Sequence, residues 1–131
     1  MKLTAFITVL ASTAVSAQLL CITSSTDFSP SASDCLAAYK SIPPPPPSGL
    51  VPCPRIYAPR WTYAESGTCR IEGYSSGGDA ACLDRKAVIE STKKLLTECN
   101  IGGKDGRVEG GAEIFKEEGA FKGVRIVRVP E

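Results

Sequence analysis

Six cysteines, Cys21, Cys35, Cys53, Cys69, Cys82 and Cys99, all follow an apolar leader, and this pairing of features constrains the chain more than any other. In MKLTAFITVLASTAVSAQLL, Lys2 is a short positive region, Leu3 to Leu10 an apolar core, and Val15-Ser16-Ala17 a small-residue cleavage pattern. Residues 1–17 therefore read as a signal peptide cut between Ala17 and Gln18. Its apolar run is shorter than the roughly 20 residues of a membrane span, and no second run follows. The expected product is a secreted, extracellular domain of residues 18–131 with no stable membrane insertion, and Gln18 can cyclise to pyroglutamate. An even cysteine set in a short secreted chain predicts three disulfides and no free thiol, each bridge adding roughly 2–4 kcal/mol to a modest core. A structural metal is not expected, because the chain has no histidine and no cysteines at C-x₂₋₄-C spacing.

Without Lys2 the secreted part has equal numbers of basic and acidic residues. Nucleic acid or an anionic membrane surface as main partner would favour a basic excess, so neither is expected. The locally basic end, KGVRIVRVPE, reads as an exposed strand face.

Local patterns predict the elements. SPSASDCLAAYKSI reads as a helix capped by Ser31 or Ser33, with Asp34 favourable to its N-terminal dipole and Cys35, Ala38, Tyr39 and Ile42 on one face. Pro43 stops it, since proline disfavours the helical region for the residue before it. A second helix is predicted from Asp79 or Asp84 to Cys99, with Val88, Thr92, Leu95 and Cys99 as its stripe and Asn100, Gly102 and Gly103 as its stop. On such a helix Cys82 and Cys99 would stand about 25 Å apart at ~1.5 Å per residue, which excludes that pair and implies a helix stapled at both ends. Strands are expected at Arg55–Ala58, at Trp61–Ala64 and in GTCRIEGY, and a hairpin from AEIFK and VRIVRV. The glycine pairs in IGGKDG and EGGAE read as turns rather than phosphate loops. The expectation is a single α+β domain, a small disulfide-stapled antiparallel sheet with two helices packed on it.

Residues 43–54 hold five consecutive prolines, a polyproline II rod about 15 Å long at ~3.1 Å per residue. SH3- and WW-type readers of such rods work mostly in the cytosol, so the run reads as a stiff connector to Cys53.

The absence of histidine excludes Ser-His-Asp and Cys-His catalysis, and oxidised cysteines remove thiol nucleophiles. Glu65 with Glu72, or Glu113 with Glu117, are the carboxylate pairs left for glycosidase chemistry. The chain is not expected to be an enzyme and needs no cofactor. No N-x-[ST] acceptor for glycosylation occurs. The candidate binding residues are Arg55, Tyr57, Arg60, Trp61 and Tyr63 in RIYAPRWTYAES, where an extended chain places Tyr57, Trp61 and Tyr63 on one side. The competing reading puts these aromatics in the core.

DCLAAYKSI, SGTCRIEGY, the long amphipathic helix and GKDGRVEGGAEI together resemble the fungal extracellular-protein (Ecp-type, necrosis-inducing) effector domain over about residues 33–115. The matching positions are Asp34, Cys35, Ile42, Gly67, Cys69 and Gly106 to Gly111. The proline run, Ala38 in place of leucine, and the lack of a cysteine after Cys99 depart from that pattern. The layout is also similar to virally encoded fungal killer toxins and small mushroom glycan-binding proteins. The resemblance implies a secreted effector or toxin-like protein that works by binding host or competitor molecules, the alternatives being a glycan-binding lectin or an antimicrobial, killer-toxin-like protein; the expected partner is an extracellular host protein or glycan, and the chain is expected to be a monomer.

Overall fold

The computed structural model describes residues 19–22, 29–45, 57–102, 106–117 and 120–130. The leader, Arg55, Cys53 and the connector beyond Pro45 lie outside the described residues. Ser31 caps the first helix, α1 (Ala32–Lys40), its Oγ accepting from the Asp34 N–H at 3.2 Å. The buried face is Ala32, Cys35, Ala38 and, just past the end, Ile42. Asp34 does more than complement the helix dipole. Its Oδ2 accepts from the Thr68 N–H at 2.8 Å and the Thr68 hydroxyl at 2.7 Å, tying α1 to the turn between β2 (Arg60–Ser66) and β3 (Cys69–Ser75). Gly67 in that turn has φ 53°, and a Cβ there would collide with the Asp34 carboxylate. Next to this contact Cys35 bonds Cys69. The Asp-Cys and Gly-x-Cys patterns of the sequence thus meet in space as one joint.

The second helix, α2 (Arg85–Glu98), starts later than the earliest boundary expected. Ala80–Cys82 form a 3₁₀ turn, Leu83 is extended, and Asp84 is the cap. Asp79 is engaged elsewhere: Lys122 Nζ lies 2.7 Å from its Oδ2, and the Ser75 hydroxyl donates to its Oδ1. Val88, Thr92 and Leu95 are the buried stripe. Cys99 bonds Cys21 of β1 (Leu19–Cys21), and Cys82 is also disulfide-bonded, so cysteines hold both ends of α2. No described cysteine is free.

A short pair, β4 (Asn100–Ile101) and β5 (Arg107–Val108), follows α2, and β6 (Gly110–Glu117) then forms a hairpin with β7 (Ala120–Arg128). The main sheet has five antiparallel strands in the order β1-β6-β7-β3-β2. Both helices pack on one face, α1 against β2 and β3 and α2 against β6 and β7, over Cys69, Ile71, Val124 and Ile126. This is the α+β architecture expected. Two local expectations are corrected. Gly110 and Gly111 are strand residues rather than a turn: a Cβ on Gly110 would lie 2.8 Å from the Leu20 carbonyl and 3.0 Å from Cys99 Sγ, so the bridge and β1 need glycine there. The described part of the expected Arg55–Ala58 strand is a single bridge, Ala58 to Asp79. Among the described residues no helix is long and apolar enough to cross a membrane.

The hydrogen bonds from Thr68 hold the Asp34 carboxyl below its usual 3.8, and those from Lys122 and Ser75 do the same for Asp79. A carboxyl depressed in the folded state contributes stability that is present above its unfolded value and lost as pH falls through the folded value. The thermal midpoint should therefore hold from neutrality to about pH 5 and fall below it. Asp34→Asn with Asp79→Asn should lower the neutral-pH midpoint and flatten that acid limb. An unchanged limb in the double variant would show that other groups control acid unfolding.

Candidate binding face

Strand register sorts side chains onto two faces. Leu20, Gly111, Arg125, Glu72 and Thr62 stand opposite one another across the five strands, flanked by a row of Glu65, Arg70 and Val127 and a row of Arg60, Tyr74 and Gly123. Cys69 and Ile71, which alternate with these residues on β3, face the helices, so these rows form the helix-free face.

The centre of this face is charged. Arg125 Nε and Nη2 both donate to Glu72 Oε1, the former at 2.8 Å, while Arg70 Nη1 lies 3.7 Å from Glu72 Oε2 and Arg70 Nε donates to Glu65 Oε2 at 2.8 Å. Glu72 is buried between the two guanidiniums. Two cations on one carboxylate offset its desolvation and hold both guanidinium planes against the sheet. Beside the network a cleft of about 300 Å³ runs over Gly110 and Gly111, walled by Leu20, Ile22, Tyr74, Arg125 and Val127. Leu20 is 74% exposed on it. Burial raises the Tyr74 phenol, which stays protonated as a donor at neutral pH. The combination of apolar wall, aromatic ring and paired guanidinium suits the anchoring of a protein or glycan surface.

The four described residues of the expected patch, Tyr57, Arg60, Trp61 and Tyr63, do not share one face. Arg55 lies outside the described residues. Tyr57 is 75% exposed, its ring against Gly78. Arg60 is exposed and opposite Tyr74 on the helix-free face, whereas Trp61, 38% exposed, is opposite Gly73 in a row belonging to the other face, at the sheet edge. Tyr63 is a core residue at 8% exposure: its hydroxyl donates to the Ala80 carbonyl at 2.6 Å and accepts from the Leu83 N–H at 3.2 Å, and Arg85 sits 5.7 Å from its ring centre. The reason is a β-bulge. Thr62 pairs with Glu72 and Ala64 with Ile71, so Tyr63 is an extra residue, and Tyr63 and Ala64 are both buried. Simple alternation cannot see that.

Of the carboxylates considered for hydrolysis, Glu65 and Glu72 are engaged with a cation, both pairing with Arg70. The side chain of Glu117 lies outside the described residues. Leu20, Ile22, Arg70, Tyr74, Arg125 and Val127 were not among the expected site residues, because they converge from three strands distant in sequence. The available signal was the alternation in CRIEGY and VRIVRV, which leaves Arg70, Glu72, Arg125 and Val127 on the side away from the buried isoleucines and valine. No family model matches the chain, and neither a curated protein nor a solved structure matches it significantly.

Proposed function

We propose that the protein is a secreted, effector-like binding module that acts stoichiometrically, without turnover, on a host or competitor molecule outside the cell. One observation carries this reading: the helix-free sheet face presents exposed Leu20 and half-exposed Ile22 beside a fixed Arg70–Glu72–Arg125 network. Two described disulfides and a fifth bonded cysteine, Cys82, are compatible with an extracellular location. The resemblance to fungal effector domains points the same way. A lectin is the second reading, favoured by the exposed rings of Tyr57 and Trp61, since flat aromatic surfaces stack on sugars.

Fluorescently labelled protein of residues 18–131 should bind plant or fungal cell surfaces saturably. Leu20→Asp should weaken that binding about tenfold or more with an unchanged melting temperature, because a charge would be placed in an apolar contact. Competition by soluble glycans, with loss of binding in Trp61→Ala and not in Leu20→Asp, would establish the lectin reading instead. Absence of saturable binding to either cell type would refute both.

A further inference from the structure

The two helices leave a second surface on the opposite side of the molecule. Ser31 bridges to Arg107 and Asn100 pairs with Val108 on the same short strand, so the start of α1 lies beside the end of α2, and Lys40 lies at the far end of α1. Along α1, Ala32, Leu36 and Lys40 repeat at helical spacing with Ser33 and Ala37 next to them; Leu96 and Asn100 form the other wall. Alanines opposite Leu96 do not fill the space between the helices. A groove of about 340 Å³ remains, within the roughly 300–1,000 Å³ of small-molecule sites. Leu36 is 46% exposed there. Disulfides at Cys35 and Cys99 hold both helices to the sheet, so the groove is preformed.

Its polar lining is one-sided. Lys40 supplies an ammonium at one end, Ser33 and Asn100 a hydroxyl and an amide at the other, and no carboxylate lines it. Lys40 has no carboxylate partner among the described residues. The Ser41 N–H and hydroxyl cap carbonyls of the last turn of α1, which leaves Lys40 as the full charge at that end. Asn100 Oδ1 is buried and accepts no hydrogen bond, so the acceptor of this amide is turned away from the open groove.

We infer that this groove binds a medium-chain fatty carboxylate, with the carboxylate on Lys40 and the chain along Leu36, Ala37 and Leu96. The distance along α1 from Lys40 to Ser33 is about 10 Å at ~1.5 Å per residue, which suits a chain of that size. Charge complementarity selects the anion over the matching alcohol, and the apolar walls select it over a short carboxylate.

Calorimetric titration of the folded protein, residues 18–131, with decanoate below its micellar concentration tests the site. Saturable one-to-one binding is expected, with decanol at least tenfold weaker. Lys40→Glu should weaken decanoate at least tenfold and leave decanol within twofold. Ala37→Trp should abolish binding of both by filling the groove; if its circular dichroism shows misfolding, Leu36→Asn at the exposed wall position should weaken both at least fivefold. The proposal is overturned by no saturable decanoate binding, by equal affinity for decanol, or by a Lys40→Glu variant that binds like the native protein. None of these outcomes bears on the helix-free face, which lies across the sheet.

Discussion

Replacing Cys21 and Cys99 together by alanine should lower the unfolding free energy by about 4.5 kcal/mol, the value chain entropy gives for a bridge of this span. The bridge joins residues 78 apart, against 34 for Cys35–Cys69, and so restricts the unfolded chain more. It also holds the edge strand β1 and the end of α2 together over Gly110. Against the roughly 5–15 kcal/mol stability of a small domain, that loss is large enough to populate unfolded protein at body temperature. Urea titration of the double variant beside the native protein measures it. A loss below about 1 kcal/mol would mean that packing alone seats β1. Peptide mapping without reductant should recover Cys21–Cys99 and Cys35–Cys69. Cys82 is bonded as well, so its peptide should also be recovered in a bridge and not as a free thiol.

Tyr63→Ala should cost about 3–5 kcal/mol, the range for removing a large core side chain. Its ring lies against Gly73 and below Arg85, and its hydroxyl joins the Ala80 carbonyl and the Leu83 N–H. Tyr63→Phe isolates the hydroxyl's share: it leaves both backbone groups unpaired in a buried site, at about 1–3 kcal/mol. Burial also raises the Tyr63 phenol, so its contribution holds below 10.0, the unfolded value, and falls as pH rises toward the folded one. Trp61→Ala, two residues away at the open edge, should cost about 1 kcal/mol or less. Equal costs at the two positions would contradict the bulge. Acrylamide should quench Trp61 fluorescence in the native protein, because the indole is open to solvent on one side.

Where a structural outcome depends on neighbours within one turn or one hairpin, the amino-acid sequence determined it. Ser31 as a cap, Pro43 as a stop, the stripe Val88, Thr92 and Leu95, and the antiparallel β6–β7 hairpin each follow from residues a few positions apart, where propensity and periodicity act directly. The exclusion of a Cys82–Cys99 bridge is also local, resting on the length of one helix. Tertiary structure decided what depends on a second chain segment. Residue 63 is the extra residue of a bulge because β2 must match β3 while Tyr63 reaches Ala80 and Leu83. Gly110 and Gly111 run straight through a strand because β1 pairs with both, and at Gly110 the Cys99 sulfur leaves no room for a side chain. The helix-free face and the interhelical groove join residues as distant as Leu20 and Val127, or Lys40 and Leu96. Side-chain alternation is a property of one strand, whereas exposure belongs to the whole packed sheet: only when both helices settle on Ile71 and Ile126 do Arg70 and Arg125 become the surface, with Glu72 buried between them.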